Sequence, residues 1–213
     1  MMTTYSRRVA RHCRALLLPL VLGLAGCTAL GTAPKPMAVY DLGVIEPAPS
    51  ANAPAPAQIA LRAPSWLDTS AMQYRLAWDQ PLRRRAFADN RWAAPPAEML
   101  ARALERALRH PGAARSTCRL AVELDEFVQV FDSVERSRVE LVVRASWQPP
   151  RGEAALARTE LRVVRDAASA DPEGGVSAYR AASEALAAEL GAWLKTLDHD
   201  GGQGLNTGAR CGV

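Results

Sequence analysis

The sequence predicts an α+β fold: a single domain built on a mostly antiparallel β-sheet with two amphipathic helices, in the order β-β-β-α-β-β-β-α. Three observations carry this. Two segments repeat leucine at helical spacing, whereas the stretches between them alternate apolar and polar residues with the period of a strand. Short turn sequences rich in Pro, Gly, Asp and Ser separate those strands. The strands also come in runs with the helices set apart, which favours a sheet packed by helices over alternating β-α-β units.

The elements follow in order. Met37–Val44 reads as a first strand, followed by an Ala/Pro loop over 47–57 (PAPSANAPAPA) that is extended and poor in ladder donors. Ile59–Arg62 and Met72–Trp78 are the next strands, flanking the turn-like Ala63-Pro64-Ser65. The first helix has Pro95 and Pro96 at its start, where proline is tolerated. Leu100, Leu104 and Leu108 form its apolar stripe, and His110-Pro111-Gly112 ends it. Leu120, Val122 and Leu124 alternate with polar residues, then Val128 and Val130 do so, which implies one long strand with a bulge near Glu126. Asp132–Glu135 turns into a strand through Val139, Leu141, Val143 and Ala145. Pro149-Pro150-Arg151-Gly152 turns into a strand over 154–165. The second helix is expected from Ser177 to Leu197, with Tyr179, Ala182, Leu186, Leu190, Trp193 and Leu197 along one face. A domain over 37–197 is long enough to enclose its own core, and 198–213 reads as a flexible C-terminal tail.

The N-terminus is of another kind. Arg7, Arg8, Arg11 and Arg14 precede an apolar run from Ala15 to Leu24, and no acidic residue occurs before Asp41. This is the pattern of a secretory signal, and the run is shorter than the roughly 20 residues of a spanning helix. It ends in Leu24-Ala25-Gly26-Cys27, which looks like the bacterial lipobox. Residues 1–26 therefore read as a cleaved lipoprotein signal peptide, Cys27 as the lipidated first residue, and 27–36 as a tether. In this reading Thr28, unlike an Asp at that place, permits transfer to the outer membrane.

Cleavage there changes the electrostatic reading. The whole chain carries a formal charge of +4, with 26 basic and 22 acidic residues. Four basic residues leave with the signal, so the remainder is balanced at 22 of each sign, without the clustered positive field that nucleic-acid binding needs. Of the four cysteines, Cys13 leaves with the signal and Cys27 is acylated. Cys118 and Cys211 remain, either paired as one disulfide in an oxidising compartment or as two separate thiols.

No motif for catalysis emerges. His12, His110 and His199 fall in the signal, at a helix end and in the tail, and no Gly-x-Ser-x-Gly, His-Glu-x-x-His or Walker loop is present. Glu123, Asp125 and Glu126 read as a solvated sheet face and its bulge rather than a Ca²⁺ site. Neither a cofactor nor a metal is expected, and the chain does not read as an enzyme. Of the five tryptophans, Trp66 lies near a loop tip and is the candidate for a partner contact.

The runs Pro64-Ser65-Trp66-Leu67-Asp68 and Met72-Gln73-Tyr74-Arg75 resemble a stretch of the ABC-type transport auxiliary lipoproteins. Phe87-Ala88-Asp89-Asn90-Arg91-Trp92 leading into a Pro-started helix, and Leu124-Asp125-Glu126-Phe127, are similar to that family as well. The resemblance spans roughly 37–197. It implies a non-catalytic, periplasm-facing lipoprotein that accompanies an ABC permease, its ATPase and an MCE-domain substrate-binding protein. Such systems move phospholipids, sterols or other hydrophobic molecules. The alternatives are a structural or assembly lipoprotein of the outer membrane, and an exported enzyme or direct lipid carrier.

Overall fold

The computed structural model describes residues 36–46, 53–109, 113–152, 154–199 and 207–212. Cys27, the signal before it and the tether as far as Lys35 lie outside the described residues. The described chain runs β1 (Ala38–Tyr40), β2 (Pro54–Ala55), β3 (Gln58–Arg62), β4 (Ala71–Leu76), β5 (Arg85–Trp92), α1 (Pro96–Leu108), β6 (Ala114–Arg115), β7 (Arg119–Phe131), β8 (Ser137–Gln148), β9 (Ala157–Asp166), α2 (Pro172–His199) and α3 (Thr207–Cys211). The fold is α+β, as its periodicities predict.

The main sheet has the order β1-β5-β4-β7-β8-β9, with β3 also paired to β7. The pairs β4–β5, β7–β8 and β8–β9 are antiparallel, whereas β1–β5, β3–β7 and β4–β7 are parallel. The sheet is thus mixed rather than simply antiparallel. The cause lies in the connections: β3 and β4 follow one another without reversing, both along the same edge of β7. β3 lies beside Arg119–Glu123 and β4 beside Gln129–Phe131. The chain then returns to β7 through β5 and α1, a crossover long enough for parallel pairing. Between the two contacts the β7 register shifts at Leu124/Glu126, where the alternation of the sequence breaks.

Three strands, β2, β5 and β6, go beyond the six that periodicity predicts. β5 is polar along most of its length, so it lacks an alternating signature. β2 lies within the Ala/Pro stretch read above as a loop, and pairs in parallel with β6. A proline at the first position of a strand need not supply a ladder donor, and the Ala55 carbonyl accepts from Ser116 N–H at 3.0 Å.

One sheet face carries the core. Leu120, Val122, Leu124 and Phe127 of β7 are buried together with Val139, Leu141, Val143, Ala145 and Trp147 of β8. α1 covers β3 and α2 covers β8 and β9, and the two helices touch each other. Leu100, Leu104 and Leu108 are buried along α1, as are Ala182, Leu186, Leu190 and Leu194 along α2. Each such leucine contributes about 1.5–3 kcal/mol relative to exposure.

α2 starts at Pro172, five residues before the expected Ser177. Asp171 caps it: its Oδ1 accepts from Gly174 N–H at 2.7 Å and from the Ser169 hydroxyl at 2.8 Å. Gly174 and Gly175 disguise this first turn because glycine disfavours helix. They are required by close approach, since a Cβ on Gly174 would strike Ser169 and one on Gly175 would strike the Gln129 amide.

A disulfide joins Cys118, just ahead of β7, to Cys211 in α3. Thr117 N–H donates to the Cys211 carbonyl at 2.7 Å, and the Thr207 hydroxyl donates to the Leu197 carbonyl at 2.6 Å. Residues 207–211, within the stretch expected to be a flexible tail, therefore form a helix held to both β7 and α2. Composition around it is rich in Gly and polar residues, so the order comes from the covalent link and these contacts.

Candidate partner-binding site

Between β3 and β4 the chain leaves the edge of β7. The loop 63–70 crosses there in a turn: the Pro64 carbonyl accepts from Leu67 N–H at 2.9 Å and Asp68 N–H at 3.0 Å. The turn sends Leu67 into the core and leaves Trp66 46% exposed.

The exposed ring is held firmly. The Arg84 guanidinium lies 4.2 Å from the centre of the Trp66 ring, an arrangement that contributes about 0.5–1 kcal/mol at an exposed site. Arg84 also donates to the Gln73 side-chain carbonyl at 2.7 Å, and Gln73 Nε2 donates to the Trp66 backbone carbonyl at 2.9 Å. Behind them sits Glu126, at the bulge of β7. It pairs with Arg84 through one oxygen and with Arg75 through the other, the latter at 2.9 Å. Its Oε1 also accepts from Phe127 N–H at 3.2 Å. Burial pushes the Arg84 guanidinium below its ordinary range, while the bond from Glu126 works against that shift.

The bulge explains why Glu126 can take this place. One extra residue in β7 keeps Leu124 and Phe127 on the core face, which strict alternation from Leu124 would deny to Phe127. On that inner face Phe127 stacks on Tyr179 at 4.2 Å, and Trp92 meets both rings edge-on at 5.6 and 5.1 Å. Tyr179 is fully buried and its hydroxyl has no partner. Burial, and after it the charge of Glu126, push the phenol well above its usual range.

Glu126 is paired with two guanidinium groups. Among the described residues no group of three or more His, Cys, Asp or Glu side chains is placed to hold a metal ion. What is presented outward is a flat, rigid aromatic ring backed by a cation, the kind of residue that anchors protein interfaces. Elsewhere on the outer sheet face several charges are paired: Arg144 with Glu123 and Asp125, and Arg138 and Arg162 with Glu140. A groove of about 370 Å³ runs between residues 41–45 and α1, but it contains none of the cluster residues.

The structure therefore brings Trp66 together with Gln73, Arg75 and Glu126, three residues of the sequence runs singled out above, and adds Arg84, which no motif marked. Arg84 stands in a run of three arginines that gives no sign of which one stacks. Alternation carries the expected strand on to Trp78, but β4 stops at Leu76 and Trp78 is 49% exposed in the turn beyond.

A family model described as "ABC-type transport auxiliary lipoprotein component" matches residues 40–191. Among solved structures the chain is similar to a Xanthomonas campestris protein assigned to the DUF330 family model, with a TM-score of 0.66 and 22% identity over 76% of this chain and 98% of that one. It is also similar to a second structure, described as an uncharacterized protein, with a TM-score of 0.58 and 12% identity over 75% of this chain and 99% of that one. At these identities the two likenesses speak for a shared fold. No curated protein matches the chain.

Proposed function

Since this chain belongs to the ABC-type transport auxiliary lipoprotein family, we propose that it is the membrane-anchored, periplasm-facing docking component of an MCE-type ABC transport system for phospholipids, sterols or other hydrophobic molecules. Its partners in this reading are the MCE-domain substrate-binding protein, the permease and the ATPase. Cys27 carries the acyl chains, and the outer membrane is the anchoring bilayer. Each acyl CH₂ in a bilayer contributes about 0.8 kcal/mol, so two or three chains hold the protein stably.

The observation that carries the docking role is the convergence of separate sequence runs on one exposed, braced tryptophan. Leaving a large aromatic ring in water while fixing it by a cation and two hydrogen bonds makes little sense for stability alone. It makes sense for a contact formed with low loss of side-chain freedom.

The test is copurification from membranes of cells that make the full chain. Trp66→Ala is expected to lower recovery of the MCE protein at least tenfold while the lipoprotein stays in the membrane fraction. Cys27→Ser is expected to leave the protein unacylated and out of that fraction. Undiminished MCE recovery with Trp66→Ala would remove the tryptophan from the interface. Recovery of barrel-assembly or peptidoglycan components in place of MCE, permease and ATPase would favour a structural lipoprotein of the outer membrane.

A further inference from the structure

One end of the main sheet gathers exposed apolar side chains. β4 and β7 run parallel and finish side by side, Leu76 against Phe131. The loop after β4 and the turn after β7 therefore emerge together, tied by a bond from Ala77 N–H to the Phe131 carbonyl at 2.9 Å. The loop holds Trp78, 49% exposed, and Leu82, 92% exposed, and the turn holds Val134, 79% exposed. Both segments are folded turns. Arg83 N–H donates to the Gln80 carbonyl at 2.8 Å with Gln80 at φ +53, and Asp132 N–H donates to the Arg136 carbonyl at 2.9 Å. Isolated exposed apolar residues are ordinary, but a group at the tips of two adjoining turns marks a contact surface.

The path of the chain says what covers it. β5 runs antiparallel to β4, and β1 runs parallel to β5, with Ala38 beside Asn90 and Tyr40 beside Trp92. β1 therefore leads away from the end that carries Trp78, Leu82 and Val134, so that the domain begins at Met37 on a strand heading away from that end. Nine residues separate Cys27 from Met37, ten steps with a reach of at most about 36 Å. β7 alone has 13 residues and spans about 43 Å. A bilayer at the opposite end would require this short tether to double back along the sheet.

We propose that the end formed by Trp78, Leu82 and Val134 faces the bilayer and that these side chains enter its interfacial layer once the chain is anchored through Cys27. The inference rests on the anchoring role proposed for Cys27. It assigns the lipid surface to this end and leaves Trp66, in the loop ahead of β4, for the protein partner. Trp78 suits the interface, where an apolar ring with one polar N–H is favoured. Acidic and basic side chains both occur in the two turns, so the contact is apolar and needs no anionic lipid.

The experiment supplies the anchor chemically, so that it reads the surface whether or not the cell acylates Cys27. The chain beginning at Cys27 is coupled through that thiol to a maleimide-headgroup lipid in vesicles of phosphatidylethanolamine and phosphatidylglycerol. Half of the vesicles carry brominated acyl chains, which quench nearby tryptophan. Tryptophan emission is expected to fall on brominated vesicles for the wild type and for Trp66→Phe, and not for Trp78→Phe. Leu82→Asp combined with Val134→Asp is expected to reduce the quenching at least twofold without changing the Tm. Equal quenching in wild type and Trp78→Phe, or none in the coupled wild type, overturns the proposal. An oligomer of the uncoupled protein that Leu82→Asp dissolves would assign the patch to a second copy and overturn it too. Absence of native acylation, with quenching intact on coupled protein, would remove the Cys27 reading and leave this surface standing.

Discussion

At the scale of single residues, the buried amide of Gln129 shows how one polar side chain dictates its neighbours. Its Nε2 donates to the Ser137 hydroxyl at 2.9 Å and to the Asp171 carbonyl at 3.0 Å, joining β7, β8 and the start of α2. There is room for it only because residue 175 has no side chain. Alanine is the better helix former by about 1 kcal/mol, yet forcing the amide aside disrupts buried hydrogen bonds at about 1–3 kcal/mol. Gly174→Ala meets the Ser169 backbone, which yields less readily. Both substitutions are expected to lower the Tm by several degrees, Gly174→Ala by more. A rise in Tm for either, measured by calorimetry, would show that the close approach is not what selects glycine there.

Among the elements, α3 depends most on something outside itself. A helix of five residues has no stability alone in water. The disulfide closes a separation of 93 residues, and a link of that span typically stabilises by about 2–4 kcal/mol, with an entropic estimate slightly above that range. Replacing both cysteines by alanine is expected to lower the Tm by roughly 5–15 °C, at about 2–4 °C per kcal/mol for a chain of this size. Amide exchange should become fast over 207–211 and stay slow in β7 and β8. If 207–211 remain protected without the disulfide, then the Thr117 and Thr207 hydrogen bonds hold α3 by themselves. The start of α2 shows the same dependence on a local device, since Asp171→Ala removes a cap worth about 1 kcal/mol.

For the whole molecule, the paired carboxylates set how stability varies with pH. Burial pushes the Glu140 carboxyl up, but bonds from Arg162 and Arg138 outweigh this and hold it below its ordinary 4.5. The bonds from Arg144 lower Asp125, and the Gly174 N–H followed by the Ser169 hydroxyl lowers Asp171, both from 3.8. Groups lowered on folding contribute stability above their unfolded values, and that contribution is lost as the pH falls through the folded ones. Tyr179 has the opposite sign: its neutral form is favoured on folding, so its contribution is present below pH 10 and lost above it. The Tm is therefore expected to be flat between about pH 5 and 9 with declines on both sides. Tyr179→Phe should flatten the alkaline decline and leave the acid one unchanged. An identical alkaline decline in that variant would exclude the phenol as its source.

Periodicity and turn chemistry along the chain are enough for the α+β class, both long helices, the bulge near Glu126 and the hairpin turns at 132–135 and 149–152. Each rests on periodicity or turn chemistry carried by adjacent residues, such as the spacing of Leu100, Leu104 and Leu108. The sequence also suffices for the family, because the motif runs at 64–75, 87–92 and 124–127 are local strings. Tertiary structure alone decided the parallel pairing of β3 and β4 along one edge of β7, the polar strand β5, and the choice of Arg84 from three neighbouring arginines to brace Trp66. It likewise decided that Trp78, Leu82 and Val134 share one end. Pairing and convergence depend on contacts between residues far apart in the chain, and a one-dimensional period carries no information about which distant partner a polar or exposed residue will meet.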